Sequence, residues 1–138
     1  MPGTTDIISI FIPSLRGGGA ERVMVTLANG FAGQGHRVDL VLARAEGPYL
    51  ADVSARVRVV DLGASRVLTS LPGLVRYLRR EKPHAMLSAL NHANVAAIAA
   101  RMLAGVPTRL VVSERNHVTR SMQASRDLAS RAVIRLMA

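Results

Sequence analysis

The stretch "DIISIFIPSLRGGGAERVMVTLANGFAGQGHRVDLVLA", residues 6–43, contains the change of period that decides the fold. Its opening, "DIISIFIP", is a β-branched apolar run ending at Pro13, the pattern of a strand buried on both faces. From Ala20 the apolar positions move to helical spacing. Val23, Met24, Leu27, Ala28 and Phe31 make one stripe, which predicts a helix that closes before Gly35. "HRVDLVLA" then reads as a second strand. A strand, a glycine turn, a helix and a strand in succession are the parts of a parallel βαβ unit.

The same alternation continues along the chain. A polar stretch around "RAEGPYLADVSA" leads to a third short strand, "VRVVDLG". In "SLPGLVRYLRREKP", Ser70 is placed as an N-cap and Pro72 sits in the first turn. Leu71, Leu74, Val75 and Leu78 line one face, and Pro83 ends the helix. "HAMLSAL" is a fourth strand, "NHANVAAIAARMLAG" a helix capped by Asn91 or Asn94 and closed by Gly105, and "RLVVS" a fifth strand. The expected class is α/β, a Rossmann-like doubly wound parallel sheet with helices on both faces. The last helical pattern, "ASRDLASRAVIRLMA", is still in stride at Ala138, so the chain reads as a fragment of a longer protein.

Composition narrows the class. Of 138 residues 49% are apolar, enough for one domain's core, and with only two Phe and two Tyr that core must be aliphatic. Without cysteine there is no disulfide framework or thiolate metal site. No apolar run approaches the roughly 18–20 residues of a spanning helix, and "MPGTTDIISIFIPS" lacks the parts of a signal peptide, so a cytoplasmic domain is expected. The net charge is +9, and of the 18 Lys and Arg side chains only Lys82 is a lysine. Such an excess attracts anions, or balances a missing acidic partner domain. Scattered arginines and few aromatics argue against nucleic acid as the partner.

In an open parallel sheet ligands bind beyond the carboxyl ends of the strands. Four turns lie there: "PSLRGGGAE", "ARAEG", "LNHAN" and "SERNH". If the first strand is central and the fourth its neighbour, the first and third turns flank the crevice where strand order reverses. The glycine turn fits neither familiar phosphate pattern. A dinucleotide fingerprint needs a third glycine where Arg22 stands, and a P-loop needs lysine and a hydroxyl where Ala20 and Glu21 follow. Bare backbone ahead of a helix N-terminus still suits an anion such as a diphosphate, with Arg16 or Arg22 close by. Glu21 is favoured in a first helical turn by the dipole alone. His92 at a helix start reads as a capping or surface residue as readily as a functional one, and "SERNH" as a solvated loop as readily as a site. His36 and His84 open strands at the other edge and read as structural. No group of residues has metal-ligand spacing, and no serine stands in a nucleophile elbow.

Together the turns resemble the N-terminal half of family-4 glycosyltransferases of the GT-B fold. The motifs are GG-x-E-R opening the first helix, the A-x-x-GH-x-V close of that unit, and AGVP-x-R-x-V-x-SE-x-N. The resemblance runs from about Asp6 to the end and makes residues 1–138 one Rossmann-like domain whose C-terminal, nucleotide-sugar-binding partner is absent. It implies a retaining transfer of a hexose-type sugar from a nucleoside-diphosphate sugar to a glycan, lipid-linked or small-molecule acceptor. It implies no metal or other cofactor, and peripheral contact with an anionic membrane at its inner face. Carried over by position, Gly17, Gly18 and Gly19, with Glu21 and Arg22 at the edge, face the donor's phosphates and sugar. Asn91, His92, Ser113 and Asn116 line the acceptor side, and Glu114 and Arg115 stand nearest the chemistry. Many relatives have a histidine where this chain has Arg115; an arginine stabilises a developing anion but cannot shuttle a proton at neutral pH, and His117 is no obvious substitute. The alternatives are a non-catalytic anion- or nucleotide-binding or interaction module of the same fold, and an oxidoreductase or epimerase, which the incomplete fingerprint disfavours.

Overall fold

A computed structural model describes residues 6–113. In chain order these form β1 (Ile7–Ile12), α1 (Gly19–Gly33), β2 (Arg37–Leu42), β3 (Val57–Asp61), α2 (Leu71–Glu81), β4 (Ala85–Ala89), α3 (Asn91–Ala104) and β5 (Arg109–Ser113). The five strands make one sheet in the order β3-β2-β1-β4-β5, with every pairing parallel. β1 is central, as the βαβ reading requires, and the chain winds outward from it in both directions.

Register assigns each side chain to a face. Val59, Leu40, Ile10, Leu87 and Val111 lie on one rung across the sheet, and Val60, Val41, Phe11, Ser88 and Val112 on the next. Side chains alternate along a strand, so successive rungs face opposite ways. Ile10 and Leu40 pack with Met24, Val25, Ala28 and Ala32 of α1. Phe11 and Val41 pack with Leu74, Tyr77 and Leu78 of α2 and Ala93, Ala96, Ala97 and Ala100 of α3. The alanines of α3 let that helix sit close, and Phe11, fully buried, fills the space they leave. Among the described residues the buried core is aliphatic apart from Phe11 and Tyr77.

One rung is polar. Arg58, Asp39 and Ser9 stand side by side on β3, β2 and β1 beneath Tyr77. Arg58 donates to both oxygens of the Asp39 carboxylate (Nε to Oδ1 3.0 Å, Nη2 to Oδ2 2.7 Å) and reaches Glu81 at 3.1 Å. The Tyr77 hydroxyl donates to Asp39 Oδ2 at 2.6 Å and lies 2.5 Å from Ser9 Oγ. A buried carboxylate is costly unless its lone pairs are met, and here Arg58 of β3 and Tyr77 of α2 meet them. The hydrogen bond to Asp39 is the main cause that raises the Arg58 pKa above its already high ordinary value.

One local expectation is corrected and another is met in position only. The N-cap position of α3 is Leu90, without a side-chain cap. Asn91 is already helical and Asn94 is buried, its Nδ2 donating to the carbonyl of Ser113 at 3.1 Å. The sequence favoured asparagine because its short amide caps well, but the turn out of β4 is too tight to leave either one in the capping position. Ser70 does occupy the N-cap of α2, yet its hydroxyl turns back to the carbonyl of Val67, because a 3-10 turn (Leu68–Ser70) runs directly into the helix. The polar stretch after β2 also holds a short 3-10 turn, Pro48–Asp52.

Candidate functional site

Strand order reverses between β1 and β4, so the segments leaving their carboxyl ends diverge and open a crevice. From β1 come Pro13, Ser14, Leu15 and Arg16, then the three glycines; from β4 come Leu90, Asn91 and His92. Leu90 has φ 78 and ψ 139, a conformation that costs a non-glycine residue on the order of 1–3 kcal/mol. The strain sits at the one point where β4 must turn directly into α3, beside the crevice.

The glycine turn is exposed, and its residues differ in what they demand. Gly17 and Gly18 have φ 140 and 130, so both need glycine for backbone reasons. A Cβ at Gly18 would also lie 3.0 Å from Glu21 Oε2, because the Glu21 side chain curls back over the turn. Gly19 begins α1 and has open space where a Cβ would stand. Among the described residues no side chain caps α1, so the free N–H groups of its first turn are potential anion donors. Arg22 is exposed on that first turn.

The turn is held from behind by the segment after β2. Leu15 N–H donates to the Glu46 carbonyl at 2.9 Å and Tyr49 N–H to the Leu15 carbonyl at 3.2 Å. Gly47, with φ 121, lies so close that a Cβ would stand 2.1 Å from the Leu15 carbonyl carbon. The Glu46 carboxylate pairs with Arg16 and, at 3.1 Å, with Arg44 Nε. Arg16, expected beside the glycines as an anion ligand, is therefore drawn toward the β2 side of the turn. On the far side of these residues a cavity of about 410 Å³ opens at the carboxyl ends of β1, β2 and β3; His92 reaches it from α3, and Arg66 and Leu68 from the segment after β3.

The structure thus brings His92 together with Ser14 and Arg16 around one cavity. It places Gly17, Gly18, Gly19, Glu21 and Arg22 on the adjoining turn, Asn91 at the first residue of α3, and Ser113 at the end of β5. Glu114, Arg115, Asn116 and His117 lie outside the described residues. Sequence reasoning passed over Arg44, Glu46 and Gly47, although their turn was flagged by position, and it missed Arg66, whose segment carries no motif. The Asn94 Oδ1 and Ser88 Oγ atoms are buried without a hydrogen-bond partner among the described residues.

The sequence model of the glycosyl transferase 4-like domain matches residues 18–138. The chain belongs to that family. A curated relative in Campylobacter jejuni subsp. jejuni serotype O:2 is 32% identical over 120 residues, covering 80% of this chain and 32% of its own length. Its name is GalNAc-alpha-(1->4)-GalNAc-alpha-(1->3)-diNAcBac-PP-undecaprenol alpha-1,4-N-acetyl-D-galactosaminyltransferase. Among solved structures the chain is similar in fold to MurG of Acinetobacter baumannii, with a TM-score of 0.58 at 18% identity, over 88% of this chain and 39% of MurG. This glycosyl transferase 4-like domain therefore spans about a third of the length of the relatives it matches, and its sheet has the arrangement of one half of a GT-B protein.

Proposed function

We propose that this chain is the acceptor-side half of a retaining glycosyltransferase that takes a sugar from a nucleoside-diphosphate donor. The observation that carries the reading is the uncapped, glycine-lined N-terminus of α1 at the switch point, in a chain of this family. When the glycosidic bond of the donor breaks, negative charge accumulates on the departing diphosphate. Fixed N–H donors and the helix dipole favour that charge without reorganising. Gly17, Gly18 and Gly19 admit the donor, Glu21 and Arg22 border it, and Asn91, His92 and Ser113 face the acceptor. Past β5 in the sequence, Arg115 is assigned as a cation for the leaving group, Glu114 to the chemistry beside it and Asn116 to the acceptor. The reaction draws on no cofactor beyond the nucleotide-sugar.

The acceptor is a glycan, a lipid-linked sugar or a small molecule; the PP-undecaprenol in the name of the Campylobacter relative supports the lipid-linked form. Among the described residues no helix is long and apolar enough to cross a membrane. A peripheral position at the inner face suits the arginines Arg76, Arg79 and Arg80, which share a surface groove with Leu71, Val75 and Leu103.

The experiment is sugar transfer measured with the chain alone and with the intact enzyme carrying a second, nucleotide-binding half. The intact enzyme should release nucleoside diphosphate and form a product that keeps the donor's anomeric configuration, while the isolated chain should be inactive. Inversion at the anomeric carbon, or turnover by these residues alone, overturns the reading.

A further inference from the structure

The cavity beyond the glycine turn contains chemistry that the transfer reaction alone does not require. Arg16, Arg44 and Arg66 all line it, against the single carboxylate of Glu46. Glu46 is engaged twice, by Arg16 and by Arg44 Nε, so its charge is spent on organising those two arginines rather than on a ligand. The Arg44 side chain is 56% exposed beside its Nε contact with Glu46, and the Arg66 guanidinium has no partner among the described residues. The Arg66 backbone is nevertheless fixed, because its N–H donates to Thr69 Oγ1 at 3.1 Å and its carbonyl accepts from the same hydroxyl at 2.8 Å. The hydroxyls of Ser14 and Ser65 lie on the same lining.

We infer that this cavity binds a phosphate or diphosphate group of the acceptor through Arg44 and Arg66, with Glu46 as a positioning residue. Guanidinium forks match phosphate oxygens in geometry as well as charge. Cations gathered in a cleft also focus the local potential more than scattered surface charge does. At about 410 Å³ the cavity is within the size range of small-molecule sites, roughly 300–1,000 Å³. A cation is excluded by the charge balance, and a purely apolar ligand would leave the guanidiniums facing it without partners. The donor's diphosphate is a second possible source of the same chemistry, but the two places are distinct. The bare N–H groups belong to α1, which packs on one face of the sheet, whereas Val67 of the cavity wall packs with α2 and α3 on the other. Only the word acceptor rests on the transferase reading; the anion site itself does not.

The test is a titration of the isotope-labelled 138-residue chain with inorganic pyrophosphate and, separately, with UDP, followed through the arginine side-chain Nε–Hε resonances. Pyrophosphate should shift Arg44 and Arg66 saturably, with affinity falling as salt rises. Arg44→Gln and Arg66→Gln should each weaken pyrophosphate about tenfold and leave the response of the Gly17–Gly19 backbone amides to UDP within about twofold of the parent. Both arginines are exposed, so these variants should keep the parent's circular dichroism, and Arg66→Lys should restore part of the affinity. Pyrophosphate binding unchanged in both variants overturns the site. An equal loss for UDP reassigns the cavity to the donor and overturns the acceptor assignment. Because no transfer is measured, failure here leaves the transferase reading intact, and an inactive enzyme leaves the anion site intact.

Discussion

The phenol of Tyr77 on α2 donates a hydrogen bond of 2.6 Å to Oδ2 of Asp39, a buried carboxylate in the middle of β2. With the Arg58–Glu81 pair beside it, that contact ties α2 to the sheet through a charge that the apolar core would otherwise reject. Burial, followed by the bond to Asp39, pushes the Tyr77 pKa well above that of an ordinary phenol.

A pH dependence follows from that shift. In the unfolded chain Tyr77 loses its proton near pH ~10, whereas the folded protein holds it to higher pH. Below that point the contribution is complete; above it the unfolded state binds fewer protons than the native one, so stability falls as pH rises. Tyr77→Phe should lower stability by about 1–2 kcal/mol near neutral pH, through the bonds lost to Asp39 and Ser9. It should also flatten the alkaline limb. Urea midpoints from pH 8 to 11 measure both, and parallel alkaline limbs for the two proteins would contradict the shift.

Gly47→Ala should be among the most damaging single-methyl changes in the molecule. The added carbon meets the Leu15 backbone at 2.1 Å, and alanine does not tolerate φ 121. A loss of about 3 kcal/mol or more is expected from strain and overlap together. Gly63→Ala is the control, since Gly63 has φ 64 but open space around it and should cost only about 1 kcal/mol. Thermal unfolding of the two variants side by side separates steric contact from conformational preference.

Gly19→Ala distinguishes a glycine kept for a ligand from one kept for the backbone. At the first residue of α1, with nothing near its Cβ, alanine should leave stability unchanged or raise it by up to about 1 kcal/mol. If donor phosphates approach this backbone, the same methyl should raise the KM for the nucleotide-sugar at least several-fold in the intact enzyme. A variant that is stable and kinetically unaltered would remove Gly19 from the donor site.

Ser88→Ala tests a different kind of cost. Ser88 is fully buried on β4 and its Oγ has no partner among the described residues. Removing an unsatisfied hydroxyl should leave stability within about 0.5 kcal/mol of the parent or raise it by about 1 kcal/mol. A loss above about 1.5 kcal/mol in urea titrations would mean that the hydroxyl has a partner outside the described residues.

The strand and helix succession was legible because each element's period shows in its own residues. "IISIFI" could only be a strand buried on both sides, and Val23, Met24, Leu27 and Ala28 could only be a helical stripe. Ser9 and Asp39, by contrast, stood in those strands as unexplained polar residues. Their partners Tyr77 and Arg58 are 68 and 19 positions away, and only the register of β1, β2 and β3 aligns them. The caps show a narrower limit. Asn91 and Asn94 have the right chemistry, but the strained turn at Leu90 fixes the helix start before either can serve.

The sequence by itself determined the α/β class, the placing of the glycine turn and "LNHAN" at one edge, and the family. Those follow from local periodicity and from motifs that can be read without knowing what packs where. The tertiary structure decided which glycines are obligatory, that Arg16 is held by Glu46 rather than left beside the glycines, and that Arg44 and Arg66 share a cavity with His92. The physical reason is that charge and close contact depend on distances between segments far apart in the chain, and those distances are set only when the sheet closes its order.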